Sequence, residues 1–214
     1  MNTQRDWVAW HQDYDDPRSL LSRRLERVQR HLRAELDHAP GGDIRLLSLC
    51  AGQGRDVLGV LARHPRRDDV RARLVELDER NVATARQAAA AAGLDGVEVL
   101  QADAGTTDVC VGAVPAEIVV VCGIFGNITP DDIQATVAAL PSLCAPGALA
   151  LWTRHRRRPD LTPSIRSWFE AAGFREEAFD FSEDGFMSVG ANRLTGEPTA
   201  LRPGQRLFSF VGGT

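Results

Sequence analysis

The chain has 214 residues, 43% hydrophobic and 25% charged, with 19 Gly and 11 Pro, which is enough for one globular domain with a continuous core. All 25 basic residues are arginine. Without lysine, Schiff-base and pyridoxal-phosphate chemistry are excluded, as is a Walker-type nucleotide site, which needs a lysine ammonium at the terminal phosphates. A net charge of −4 provides no global field for a polyanion or an acidic membrane.

In chain order, Trp7, Trp10, His11 and Tyr14 recur at i, i+3, i+4 and i+7 and predict a helix with one aromatic face. Asp16-Pro17 reads as the cap and first position of a second helix, with Leu21, Leu25, Val28, Leu32 and Leu36 on one stripe and Pro40-Gly41-Gly42 as its stop. Residues 1–42 are therefore expected to form an N-terminal helical extension able to act as a lid, and residues 43–214 one structural unit.

From residue 43 short apolar runs alternate with amphipathic segments. Ile44 to Leu49, Val70 to Leu77, Val97 to Leu100, Ile118 to Cys122 and Ala148 to Trp152 predict strands, with helices at 55–63, 80–92 and 130–143. The run Ile118-Val119-Val120-Val121 has no polar face, as a central parallel strand covered on both sides requires. Thr129-Pro130-Asp131-Asp132 places a cap, an N1 proline and two carboxylates at a helix start. Thr162-Pro163 repeats the device for a helix that Gly173 stops. Strands at Glu177 to Ser182, Phe186 to Leu194 and Leu207 to Val211 complete an α/β fold, doubly wound and mostly parallel, with an antiparallel C-terminal hairpin turning at Asp184-Gly185.

The cysteines, Cys50, Cys110, Cys122 and Cys144, have no CxxC spacing and sit mostly in or beside apolar runs, as reduced core thiols do, so a cytoplasmic protein is expected. The five histidines form no HExxH or Cys/His quartet, and no metal is expected. No N-terminal apolar run suits an export signal or a membrane span.

Function concentrates where strands end. Cys50-Ala51-Gly52-Gln53-Gly54 joins the first strand to its helix, and its two glycines let backbone approach a ligand closely. A dinucleotide fingerprint would place its third glycine at Val57, which weighs against a nicotinamide cofactor. Asp78, ending the second strand, is positioned to accept from a ribose diol, and Asp103, ending the third, from an adenine amino group. Taken singly, each acid has a structural alternative as the N-cap of the helix that follows.

Together, LSLCAGQG, VELD and QADA resemble the class I S-adenosylmethionine-dependent methyltransferase family over roughly residues 43–211. The resemblance implies a seven-stranded Rossmann-like sheet and S-adenosylmethionine as cofactor with S-adenosylhomocysteine as product. It assigns Gly52 and Gly54, with Cys50 and Ala51, to the methionine and ribose portions, Asp78 to the ribose, and Asp103 and Ala104 to the adenine. Cys122, with no partner base, is read as a core or cofactor-adjacent residue and not a nucleophile. Two positions depart from the family pattern: Ser48 stands where an acid is frequent, and Cys50 where the first glycine is usual.

In-line methyl transfer needs positioning above all, plus a base when the acceptor is protonated. His11 and Tyr14 on the N-terminal face are the candidate bases, and Trp10, Asn127 and Arg154 the candidate substrate contacts, Arg154 as a fork for a carboxylate or phosphate. Asn127 has a turn role beside Gly126 as its alternative. The loop Cys122-Gly123-Ile124-Phe125-Gly126-Asn127 lacks the Asn/Asp-Pro-Pro-Tyr/Phe signature for exocyclic amines, which disfavours DNA-adenine and glutamine acceptors. The expected function is methylation of a small-molecule acceptor, without nucleic-acid or membrane partners. The alternatives are an RNA methyltransferase using the basic loop 154–158 and a non-catalytic S-adenosylmethionine-binding protein.

Overall fold

The computed structural model describes Tyr14, Asp16, residues 18–182 and residues 185–211. The first predicted helix, with Trp7, Trp10 and His11, lies outside the described residues, and Tyr14 sits in a short 3-10 turn. Seven strands form one sheet: β1 (Ile44–Leu49), β2 (Val70–Glu76), β3 (Val97–Gln101), β4 (Ala116–Val121), β5 (Cys144–His155), β6 (Phe174–Phe181) and β7 (Met187–Leu194). Their order is β3-β2-β1-β4-β5-β7-β6; the first five are parallel, and β7 runs antiparallel to both β5 and β6. The doubly wound sheet with its antiparallel edge is the one the sequence predicts.

The strand residues divide by parity. Leu46, Leu74, Ile118, Val120, Leu149 and Leu151 face one layer, with α1 (Leu20–His38), α2 (Arg55–Leu61) and α3 (Glu79–Ala91). Leu47, Leu49, Val119, Val121 and Trp152 face the other, with α4 (Pro130–Ala139) and α5 (Thr162–Ala171). Residues Ile118 to Val121 are wholly buried, which explains why that strand carries no polar face.

Helix α1 belongs to this packing. Val28, Leu32 and Leu36 share a core with β1 and β2, while its polar side is tied to the antiparallel edge. Arg193 of β7 donates to both Glu35 oxygens at 2.6 and 2.7 Å and to Glu177 of β6, and Asp180 of β6 takes Arg30 and His31, each at 2.7 Å. The Glu35 and Glu177 carboxylates hold the Arg193 guanidinium well above its ordinary pKa.

Several boundaries differ from the sequence reading. The cap of α1 is Ser19, whose Oγ accepts from the Ser22 N–H at 3.0 Å, because Asp16 instead closes a turn onto the Arg18 N–H. Thr162 is the first residue of α5 rather than its cap, and Asp160 accepts from its N–H and hydroxyl. Thr129 and Pro130 do start α4 as read, with Thr129 Oγ1 accepting from the Asp132 N–H. The largest difference is Leu207 to Val211, which forms no strand of the sheet. Leu207 and Phe208 are buried anchors of a strap across the loop ends, joined to Gly105 and Asn127 by single backbone hydrogen bonds.

Trp152 fixes the junction between the parallel and antiparallel parts. Its indole stacks on Phe169 with ring centroids 5.7 Å apart, donates to Asn192 Oδ1 at 2.8 Å and lies flat on Gly190 of β7. A Cβ at Gly190 would stand 2.1 Å from the indole Cε2, with the ring locked on its other side. Gly190→Ala is therefore expected to cost about 1–3 kcal/mol, read as a lower urea midpoint at unchanged m-value.

Candidate functional site

The carboxyl ends of β1, β2, β3 and β4 meet at one rim and enclose a cavity of about 270 Å³. Its base is the turn after β1. Cys50, Gly52 and Gly54 all adopt left-handed backbone, with φ of 53°, 57° and 69°, so the chain folds tightly enough to leave a space above it. Cys50, where the family pattern has glycine, is the only non-glycine residue with positive φ among the described residues, and its conformation explains that preference.

Seven of the eight predicted cofactor residues line this cavity: Cys50, Ala51, Gly52, Asp78, Asp103, Ala104 and Cys122. The exception is Gly54, which serves packing instead. A Cβ there would lie 2.8 Å from both Leu58 Cδ1 and Leu74 Cδ2, so only glycine lets α2 start this close to β2.

In the structure both acids line the cavity and have partners within the protein. Asp78 caps α3, accepting from the Arg80 and Asn81 N–H groups, and its second oxygen takes the Arg80 guanidinium at 2.8 Å. The Arg80 side chain, opposed by burial and helped by those backbone donors, holds the Asp78 carboxyl below its usual range. Glu76, which sequence reasoning passed over, lies deeper. One of its oxygens accepts from the Gly52 N–H at 2.8 Å and the other from the Asp78 N–H at 2.9 Å, so this carboxylate braces the turn and faces the cavity. The signal was present as the first acid of VELD, but a cap and a ligand-facing acid look alike without the helix start. Asp103 accepts from the Gly105 N–H and from Arg206 at 2.6 Å, an ion pair that brings the C-terminal strap over the cavity together with Phe210.

Toward α1 the cavity is walled by Tyr14, Arg24, Arg55 and Asp56. The Tyr14 hydroxyl meets the Arg24 guanidinium, and its ring lies between Arg24 and Arg55, 5.9 and 5.5 Å from its centroid. Burial raises the Tyr14 pKa against the pull of Arg24, so the phenol is protonated at neutral pH and is a poor base there. His11 and Trp10 lie outside the described residues.

A second cavity of about 450 Å³ adjoins the first and shares Arg24 and Gly123 with it. Asn127 and Arg154 both line it, with Thr153, His155, Arg157, Phe186 and Met187 among the others. The Asn127 side chain donates to the Gly123 carbonyl at 2.7 Å, and its backbone carbonyl receives the strap at Val211, so it orders the loop after β4. Arg154 is buried. Burial, then the Arg154 and Arg157 cations, lower the His155 pKa, which leaves its imidazole neutral at neutral pH.

The first cavity thus offers carboxylates at two strand tips, a tight backbone turn and a mixed acidic and basic end, a donor set suited to a ligand carrying a diol, an exocyclic amine and a zwitterionic tail. Among the described residues no group of three or more His, Cys, Asp or Glu could hold a metal, and no helix is long and apolar enough to cross a membrane. The four cysteines are free thiols, each with its pKa raised first of all by burial, Cys110 and Cys144 to about 12. At pH 7 they are neutral, so native iodoacetamide alkylation is expected to run at under about one tenth of the free-cysteine rate and to recover fully in denaturant.

Residues 18–168 match the family model described as "Putative methyltransferase". Over 128 residues, 58% of this chain, the sequence is 30% identical to the uncharacterized protein YnbC of Escherichia coli K12, and the match spans only 21% of that longer protein. Among solved structures the fold is similar to an O-methyltransferase family protein from Burkholderia thailandensis, with a TM-score of 0.65 and 19% identity over 89% of this chain and 60% of that one. It is also similar to the 1,6-didemethyltoxoflavin-N1-methyltransferase of the same organism, solved with 1,6-didemethyltoxoflavin and S-adenosylhomocysteine bound, with a TM-score of 0.62 and 15% identity over 89% of this chain and 87% of that one. The family match covers most of the chain, and the sheet has the seven-stranded, mostly parallel order with antiparallel C-terminal strands; this chain belongs to the class I S-adenosylmethionine-dependent methyltransferase family.

Proposed function

We propose that this protein transfers a methyl group from S-adenosylmethionine to a small-molecule acceptor, the cofactor in the first cavity and the acceptor in the second. The observation that carries this reading is the adjacency of the cavities, which meet at Gly123 and Arg24. When bound, the cofactor supplies a sulfonium methyl whose bond to sulfur breaks as an acceptor lone pair bonds to its carbon, leaving neutral S-adenosylhomocysteine and a proton on the acceptor.

The chain's residues then have these roles. Glu76 accepts from the ribose hydroxyls with the lone pairs left over from its two backbone N–H bonds, since Asp78 is tied by the Arg80 guanidinium as well as by its helix cap. Asp103 accepts from the adenine amino group, and Leu77, which lines the cavity although 65% exposed, and Phe210 give the purine apolar faces. Asp56 and Arg55 answer the ammonium and carboxylate of the methionine end, replacing the acid absent at Ser48. His155, neutral at pH 7 and lining the second cavity, takes the acceptor's proton in the part first sought for His11 or Tyr14.

Calorimetry with S-adenosylmethionine and S-adenosylhomocysteine tests the cofactor assignment. Wild type is expected to bind both, with Glu76→Gln and Asp103→Ala weakened at least about tenfold. Asp78→Ala should keep most of the affinity while losing about 1 kcal/mol of stability with its cap. The reverse pattern, Asp78→Ala silencing binding and Glu76→Gln sparing it, would return the ribose to Asp78. A proton NMR titration of His155 is expected to give a midpoint below 6.5, so that the neutral, proton-accepting form predominates at pH 7; a midpoint well above 7, with the ring mainly imidazolium at that pH, removes it as the base.

A further inference from the structure

The second cavity is strongly one-signed. Arg24, Arg154, His155 and Arg157 all face it, and no aspartate or glutamate is among its described lining residues. His155 is neutral, and two of the three guanidinium groups are engaged: Arg24 meets the Tyr14 hydroxyl, and Arg157 lies over the Phe186 ring, 4.5 Å from its centroid. Arg154 is not. It is 8% exposed, and its Nε and Nη1 are buried without a hydrogen-bond partner.

A buried guanidinium normally has its donors satisfied by a carboxylate or by carbonyls, as even the half-buried Arg66 and Arg193 do elsewhere in this chain. Nor is Arg154 loosely placed. Its backbone is paired with Ser188 across β5 and β7, the Ser188 hydroxyl donates to its carbonyl at 2.9 Å, and the preceding Thr153 hydroxyl accepts from the Gly123 N–H. Burial lowers its pKa, with Asp160 acting the other way. The same cavity has an apolar side made by Leu20, Leu21, Phe186 and Met187.

We propose that the methyl acceptor is a compact molecule bearing a carboxylate or phosphate on an apolar body, and that Arg154 receives the oxyanion, with Arg157 at the cavity mouth. This rests on the methyltransferase reading and names its substrate class. A guanidinium fork matches two oxyanion oxygens, and an anion there satisfies donors that are otherwise unmet. A polynucleotide is disfavoured because the donors left unmet are those of Arg154, buried inside the cavity, while the exposed Arg158 lies outside its lining.

The test uses the full chain with S-adenosylhomocysteine present, at fixed ionic strength, with benzoate, phenyl phosphate and uncharged benzamide as probes. At least one anion is expected to bind, with benzamide at least about tenfold weaker. Arg154→Met, which keeps the bulk and removes the charge, should weaken the anion at least about tenfold and leave S-adenosylhomocysteine affinity unchanged. It should also raise the melting temperature of the ligand-free protein by about 2–4 °C, since an unmatched buried cation is gone. Arg157→Ala, at an exposed position, gives a second reading by weakening the anion about threefold or more, and Arg158→Ala should change nothing.

Anion affinity unaltered in Arg154→Met with a lower melting temperature would make the arginine structural and overturn the proposal. So would equal binding of benzamide, or binding of a single-stranded RNA oligonucleotide that depends on Arg158 and is not displaced by benzoate. S-adenosylhomocysteine binding without any anion binding overturns the acceptor class and leaves the cofactor reading standing. Arg154-dependent anion binding without S-adenosylhomocysteine binding supports the site and overturns the cofactor reading.

Discussion

The order of the sheet reverses between β1 and β4, and the site follows from that constraint. Chain leaving β1 turns into α2 on one face, whereas chain leaving β4 runs toward α4 on the other, so the connections diverge and open a crevice at the carboxyl ends. Because β1 to β5 are parallel, every loop that could hold a ligand emerges at this one rim. The left-handed turn at Cys50, Gly52 and Gly54 keeps the crevice open, since a wider turn after β1 would fill it. Holding Cys50 in that region costs about 1–2 kcal/mol, offset by the Ala51 N–H bond to Val75 and the Gly52 bond to Glu76.

Charge is sorted along the rim. Asp56, Glu76, Asp78 and Asp103 face the first cavity, and Arg154 and His155 at the end of β5, with Arg157 just beyond, face the second, with Arg24 between them. A lysine-free chain makes this sorting with guanidinium forks, which bridge elements as well as carry charge. Arg193 joins α1 to β6 through β7, and Arg206 joins the strap to the β3 loop. Both pairings bring parts of the chain distant in sequence onto the walls of the site.

The fold was legible because each strand buries alternate residues in layers of different partners, a pattern that local sequence carries directly. The glycine turn and the acid after β3 were legible for a related reason, since their spacing from a strand end is fixed by the strand itself. Glu76 was missed because Asp78 also stands at a strand end, and only the observed start of α3 shows which acid is taken up by capping. Leu207 to Val211 misled because an apolar aromatic run suits a strand and a buried strap equally, and the sheet edges are already β3 and β6. Ser19 displaced Asp16 as a cap because both can accept backbone N–H groups, and the turn at Arg18 decides between them.

By itself, then, the sequence determined the sheet, its antiparallel edge, the left-handed turn and the acidic strand tips, all of which depend on residues near one another in the chain. The tertiary structure alone decided which of those polar groups are already satisfied. Asp78 is engaged by Arg80 and its own helix, Glu76 is held at the cavity through both oxygens by the Gly52 and Asp78 N–H groups, and Arg154 is buried with open donors. Whether a donor or acceptor remains open depends on what packs beside it from α1, β7 and the strap, contacts between distant segments that local periodicity does not encode.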